Sequence, residues 1–246
     1  MFGSDSPLKH YNEFERILKD YKPSLELLDL LHDNTLVVIA GPSASGRNTL
    51  INSLIMTGKY SFVVSDTTRQ PRINNGKPET NGQEYWFKPE KEILQGLKNG
   101  AYAEAAIIHH QQVSGISLNE LGNAFKNGAI GITDVDIQGC DSIKSFSDDV
   151  VPVFVLPPNY EEWMLRLDSR GVMSVAEKTR RLMSASQEIE LALQRSYFNL
   201  IVNYDLRYTA ERLHQNIISG QFSDVDQTNA FNHAKQLLAD LYNHLH

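Results

Sequence analysis

The stretch AGPSASGRNTL, Ala40 to Leu50, decides how the rest of the chain is read. It closes TLVVIAG, Thr35 to Gly41, a continuous β-rich apolar run that predicts a strand buried on both faces of a parallel sheet. It opens onto NTLINSLIM, which reads as a helix beginning near Thr49. Strand, glycine turn and helix N-terminus together gather several backbone N–H groups around one point, and such a point binds anions whatever the side chains are. Gly41, four residues, then Gly46 is the spacing of a phosphate-binding loop, which normally continues with Lys and then Ser or Thr. Here Arg47 and Asn48 stand in those places. Arg47 keeps the charge but spreads it over a planar fork, Asn48 offers a carbonyl oxygen toward magnesium, and Thr49 supplies a neighbouring hydroxyl.

The composition bounds the ligand class. With 246 residues, 41% of them hydrophobic and 22% charged, the chain has enough apolar material for a full core, as one domain with insertions or as two. A net charge of -7 without a strongly basic run argues against a nucleic-acid-wrapping surface and leaves room for a small anion held by a few local cations. One cysteine, Cys140, forms no intrachain disulfide, and Met1 to Pro7 carry no apolar signal core, so a reducing cytoplasm is expected. No apolar run reaches membrane-spanning length, so no membrane partner is expected.

Residues 8 to 31 have helical apolar spacing interrupted by Pro23, which predicts two short helices in an N-terminal extension over 1–33. YSFVVS and EYWF are strand-like, residues 88–99 and 117–127 helical, and AIGITDVDI (Ala129–Ile137) and VPVFVLPP (Val151–Pro158) further buried strands. A helical stretch from Tyr160 to Arg195 breaks at Gly171, NLIVN is a last strand, and the tail over 221–246 is an amphipathic helix. Strands separated by helices indicate an α/β fold with a mainly parallel sheet. Either terminal helical segment is available to pack on the core or to pair two copies as a homodimer.

From Thr35 to Ile217 the chain resembles guanylate kinases, through AGPSASGRNTL, SDTTRQPR, NGQEYWF, AYAE, DVDIQG, VFVLPP, RLDSRG, RRLMSA and LIVNYDL in family order. The resemblance implies a three-layer P-loop NTPase-type fold over 34–220 with two inserts, one binding the nucleoside monophosphate (about 65–125) and one closing as a lid (about 166–195). It implies transfer of the ATP γ-phosphoryl to GMP or dGMP with Mg2+. Gly41, Ser43, Ala44, Ser45, Gly46, Arg47, Asn48 and Thr49 would surround the ATP phosphates, with Asn203 near adenine. Arg69, Arg72 and Tyr85 would hold the acceptor phosphate, a task suited to guanidinium forks. Ser65 and Glu104 would read the guanine edge, where a carboxylate accepts from the ring N–H and the exocyclic amine. Asp134 and Asp136 would hold magnesium and contact the acceptor nucleotide, with Asn48 as a further metal oxygen. Arg170 and Arg181, at the family's separation of eleven residues, would close on the phosphoryl group.

Departures cluster at Arg47, Asn48 and the stretch HHQQVSGIS, where Val113, Ser114, Gly115 and Ile116 replace a tyrosine, tyrosine, glycine, serine pattern. Three readings therefore stand: a GMP kinase, a kinase for another nucleoside monophosphate, and a catalytically impaired binding module. His109 and His110, adjacent in a polar loop, read as solvent-facing rather than metal-binding.

Overall fold

The computed structural model describes residues 8–74, 76–169, 171 and 173–245. Its first elements in chain order are α1 (Tyr11–Lys19), α2 (Leu25–Asp33), β1 (Leu36–Ala40), α3 (Arg47–Ile55), β2 (Tyr60–Phe62), β3 (Asp66–Thr67), β4 (Ile73–Asn74), β5 (Lys77–Pro78) and β6 (Trp86–Phe87). Then follow α4 (Glu90–Lys98), β7 (Tyr102–Ile108), β8 (Gln112–Ser117), α5 (Leu118–Ala124), β9 (Ile130–Asp134), α6 (Ile137–Phe146) and β10 (Val151–Leu156). The remainder is α7 (Tyr160–Asp168), α8 (Val175–Leu193), β11 (Asn199–Val202), α9 (Leu206–Ser219) and α10 (Asp224–Leu245). The central sheet has the order β11-β10-β1-β9-β2, with β10 parallel to both of its neighbours. This is the α/β fold with a mainly parallel sheet that the sequence predicts. Among the described residues no helix is long and apolar enough to cross a membrane.

The chain divides into two compact units built from discontinuous segments. One comprises Val37–Tyr60, Ile132–Cys140 and the chain from Val151 onward. Every residue of β1 is buried, as β-branched and aliphatic side chains on a two-faced parallel strand require. Trp163 of α7, 1% exposed, fills this core and donates its indole N–H to the Ser43 carbonyl at 2.8 Å. The helices begin where side-chain oxygens replace missing backbone acceptors: Asn159 caps α7, Ser174 caps α8 and Asp205 caps α9.

The other unit comprises the N-terminal segment up to Leu36, Ser61–Gly131 and Asp141–Val150. Its sheet, β6-β3-β8-β7, is largely antiparallel, and the β7–β8 hairpin turns at His109 and His110, both left-handed. These two exposed histidines are thus the centre of a tight turn rather than residues of a longer loop, with the Gln111 N–H returning to the Ile108 carbonyl at 3.0 Å. The N-terminal extension is part of this unit's core: Leu8 and Phe14 pack with Ile93, Leu94, Leu97, Tyr102 and Val113. Proline 23 separates α1 from α2 as expected, and Ser24 caps α2.

Three boundaries differ from expectation. Helix α3 starts at Arg47, two residues early, because left-handed Gly46 (φ 97°) turns the chain directly into it. Strand β9 stops at Asp134, short of Ile137, since Asp136 accepts the Gly139 N–H at 2.7 Å and starts α6. The tail helix α10 begins at Asp224.

Glu120 of α5, 8% exposed, accepts from the Val64 N–H at 3.2 Å and from the Trp86 indole N–H at 2.9 Å. Glu120→Ala leaves both donors without an acceptor and is expected to cost about 2–4 kcal/mol in urea unfolding, with Glu120→Gln costing less. A loss below about 0.5 kcal/mol would show that these bonds do not hold the unit together.

Candidate active site

The phosphate loop lies between β1 and α3, and contacts to its backbone set its shape. A side chain at Gly41 (φ 144°) would begin 2.4 Å from the Val155 carbonyl, and one at Gly46 would begin 2.2 Å from Asn203 Nδ2. Asn203, 3% exposed, donates that amide to the Ser45 carbonyl at 3.0 Å, while Trp163 holds the Ser43 carbonyl. Two loop carbonyls are thus held by side chains from outside the loop, while the Ser45 N–H turns back to the Pro42 carbonyl at 3.1 Å. Ser45 Oγ and Asn203 Oδ1 are buried polar atoms without a protein partner. Ala44 sits at φ 66°, a left-handed conformation carried by a residue with a Cβ.

Arg47, partly buried, donates Nη1 to Asp134 Oδ1 at 2.7 Å, so the first residue of α3 is tied to the last of β9. Asn48 and Thr49 are exposed on the first turn, and Asp136 is exposed at the start of α6. Two residues not anticipated as part of the site join this group. Arg166 of α7 reaches the Asn203 carbonyl at 3.4 and 3.5 Å and Glu162 at 3.1 Å, with Nη1 3.7 Å from where a Gly46 side chain would start. Glu188 of α8 accepts from Ser184 Oγ at 3.1 Å. Burial pushes its carboxyl up, Asp136 and Asp134 add to this, and Ser184 and Arg47 oppose it. Arg181 donates Nε to Glu177 at 2.8 Å along α8. Arg170 lies outside the described residues.

Of the predicted acceptor residues, Asp136 lies in the unit that holds the phosphate loop, and Ser65, Arg69, Arg72, Tyr85 and Glu104 lie in the other. Arg69 is clamped by Glu79, with Nη2 on Oε1 at 2.9 Å and Nη1 on Oε2; the two side chains are 4% and 6% exposed. The guanidinium carbon lies 4.7 Å from the Tyr85 ring centre and 5.5 Å from that of Phe87. Glu79 also accepts from the Arg72 backbone N–H at 2.8 Å, while the Arg72 residue is exposed. Arg69 and the Arg72 backbone thus meet at Glu79, a carboxylate that the motif reading left out, with Tyr85 against the Arg69 guanidinium. Glu104, 9% exposed, projects from β7, and Ser65 precedes β3 with its carbonyl accepting from the Trp86 N–H at 2.9 Å. Ser114 donates to Thr67 Oγ1 at 2.9 Å.

Among the described residues no group of three or more His, Cys, Asp or Glu side chains has metal-binding geometry. The Asp134 carboxylate, Asn48 carbonyl and Thr49 hydroxyl are hard oxygens of the kind that suit Mg2+, which keeps several waters and takes only one or two protein ligands.

A parallel sheet with a glycine-bracketed anion loop at the end of β1, a cation opening α3 and a carboxylate ending β9 defines a P-loop nucleotide-binding protein. Residues 33–219 match the family model of guanylate kinase. The chain is 34% identical over 205 residues to guanylate kinase of Helicobacter pylori, covering 83% of this chain and 94% of that protein. It is 32% identical over 189 residues to the Campylobacter jejuni enzyme, covering 76% and 89%. With guanylate kinase 1 of rice it shares 34% over 180 residues, 72% of this chain but only 46% of that longer protein. The crystal structure of guanylate kinase from Anaplasma phagocytophilum superposes with a TM-score of 0.56 at 25% identity, covering 78% of this chain and 89% of that one. The chain belongs to the guanylate kinase family, which makes it a phosphotransferase acting on nucleoside monophosphates.

Gly46→Ala should weaken ATP binding at least about tenfold in calorimetry with the circular dichroism spectrum intact, since the new methyl displaces Asn203 and the left-handed turn is strained. Unchanged ATP affinity would show that the loop has room this packing denies. The Arg69 hydrogen bonds hold the Glu79 carboxyl below its ordinary value of 4.5. Its contribution to stability is therefore complete above that value and lost as pH falls through the lowered one. Glu79→Gln should flatten this part of the acid-side stability loss in unfolding measured between pH 3 and 6, and an unaltered acid limb would remove Glu79 from the account.

Proposed function

We propose that this protein transfers the γ-phosphoryl of ATP to GMP or dGMP, with residues 65–125 as the acceptor-binding insert and 166–195 as the lid. The observation that carries the assignment of roles is the Arg47–Asp134 contact, which places a guanidinium and a carboxylate at the mouth of the backbone anion loop. The acceptor phosphate is already ionised and nucleophilic, so the protein needs to align two anions and balance charge rather than supply a covalent intermediate.

N–H groups from the loop between Gly41 and Thr49 receive the β- and γ-phosphates, and Arg47 exchanges Asp134 for phosphate oxygen. Asp134, with Asn48 or Thr49, would hold Mg2+, which would supply neutralisation of phosphate charge. Arg69 and Tyr85 hold the acceptor phosphate beside Arg72, and Glu104 with Ser65 reads the base. Arg170 and Arg181 belong to the lid that excludes water, which would otherwise accept the phosphoryl group. The lone buried Cys140 accords with a reducing, cytoplasmic setting.

A coupled ADP-release assay across GMP, dGMP, IMP, AMP, CMP and UMP tests this reading. GMP and dGMP are expected as the best acceptors. Arg47→Ala should lower kcat about a thousandfold. Arg47→Lys should retain most of the turnover, and Arg69→Ala should raise the KM for the monophosphate at least about tenfold. Monophosphate binding without turnover of any acceptor would point to a binding module, and a different preferred base would reassign the acceptor.

A further inference from the structure

We propose that Tyr21 and Tyr102 are positioning residues for base recognition. Tyr21, delivered by the segment joining α1 to α2, holds Tyr102 at an irregularity in β7, and Tyr102 holds Asp66, so that Glu104 and Ser65 are presented in one fixed arrangement. This rests on the reading of Glu104 and Ser65 given above.

Strand β7 is the edge of its sheet, so outward N–H and C=O groups on it have no neighbouring strand to pair with. At Tyr102 one hydroxyl does the work of a strand: Tyr21 Oη accepts from the Tyr102 N–H at 2.8 Å and donates to the Tyr102 carbonyl at 2.7 Å. The pairing shifts at this point. Tyr102 faces Ser117 and Glu104 faces Ile116, so β7 advances two residues for one on β8. Such a bulge re-aims the side chain that follows it, and here that side chain is Glu104. The angle at which Glu104 leaves the sheet therefore depends on a backbone site secured by Tyr21.

The ring of Tyr102 continues the linkage. It is 3% exposed and passes Gly96, where a side chain would begin 2.7 Å from its Cε2. Its hydroxyl donates to Asp66 Oδ2 at 2.7 Å, and Lys88 Nζ lies 3.2 Å from the same oxygen. Asp66 is fully buried and immediately follows Ser65. Tyr102 and Lys88 both act on its Oδ2. Burial pushes the Asp66 carboxyl up while Tyr102, Lys88 and Ser117 draw it down. Burial also drives Tyr21 up to about 12, which keeps its donor proton in place. A second attachment lies at the hairpin tip, where Tyr11 Oη of α1 meets His110 Nδ1 at 2.8 Å. Both attachments come from residues that precede the family match at 33.

Tyr21→Phe keeps the ring and removes the hydroxyl, and Tyr102→Phe keeps the backbone site and releases Asp66. Dissociation constants for GMP, IMP and ATP, measured by calorimetry on the full chain, test the proposal. IMP lacks the exocyclic amine that Glu104 would accept from. Each variant is expected to weaken GMP about five- to tenfold and IMP about twofold or less, leaving ATP unchanged. A uniform loss of packing would not narrow the preference for GMP over IMP. Glu104→Gln, run alongside, tests the underlying reading and should narrow the same preference. If Glu104→Gln narrows it and both tyrosine variants leave it unchanged, the positioning role is overturned while the base reader stands. If Glu104→Gln leaves it unchanged, the base reading fails and the proposal falls with it.

Discussion

A carbonyl oxygen of Val155 occupies the place where a side chain at position 41 would begin, and the phosphate loop takes its form from that lack of space. The chain leaves β1 against β10, turns under Asn203 at Gly46, and enters α3 at once. Because Asn203 and Trp163 hold two loop carbonyls from outside the loop, the cradle is a property of backbone and packing. It survives the replacement of the usual lysine and hydroxyl residue by Arg47 and Asn48. Ala44 shows how firmly the surroundings fix it, since a left-handed alanine costs about 1–2 kcal/mol relative to its preferred conformation and persists only where neighbours over-determine it.

Two arginines of the candidate site are already paired with carboxylates. Arg47 rests on Asp134, and Arg69 rests on Glu79. A pair of unit charges about 4 Å apart gains about 4 kcal/mol at an effective dielectric near 20, before desolvation is subtracted. In the role proposed for Arg47 and Arg69, a nucleotide phosphate, carrying more charge than one carboxylate, would compete for each guanidinium that the carboxylate already orients. Arginine suits such an exchange because its fork can hold a carboxylate on one edge and turn another to a phosphate. Burial raises the Glu188 carboxyl above its ordinary value beside Asp134 and Asp136.

The sequence displayed the parallel core more openly than the unit built on the antiparallel sheet. Strands β1 and β10, the turn at Gly41, the interruption at Pro23 and the division of α7 from α8 are encoded in local runs of apolar residues and in Pro or Gly. The β7–β8 hairpin is hidden because Ala105, Ala106, Ile107 and Ile108 do not alternate cleanly and its turn uses two histidines in place of Asn-Gly. Helix α6 is masked because it starts three residues after β9 with a glycine in its first turn. The motif positions could be named from sequence, but the carboxylates that the fold pairs with them and with the core could not. Glu79, Glu120 and Glu188 look like solvated charges in sequence, and their meaning comes from Arg69, Trp86 and the Arg47 cluster, which fold to meet them.

The terminal segments, also outside the motif pattern, solve one physical problem in two places. Each of the two larger sheets has one edge, β7 or β11, whose outward backbone groups invite pairing with another chain. In β7 the Tyr21 hydroxyl serves both groups of Tyr102. In β11 the Gln227 amide of α10 accepts from the Leu200 N–H at 2.8 Å and donates to its carbonyl at 3.2 Å. Helix α10 also stacks His244 on Tyr160 of α7, with ring centres 4.0 Å apart, and joins Tyr242 to Glu190 of α8. A side chain that imitates a strand satisfies the edge without adding a strand. On the β7 side the hydroxyl that protects the edge also reaches the segment to which the family resemblance assigns acceptor binding, whereas on the β11 side edge protection by Gln227 and the Tyr242–Glu190 link to the assigned lid rest on different residues.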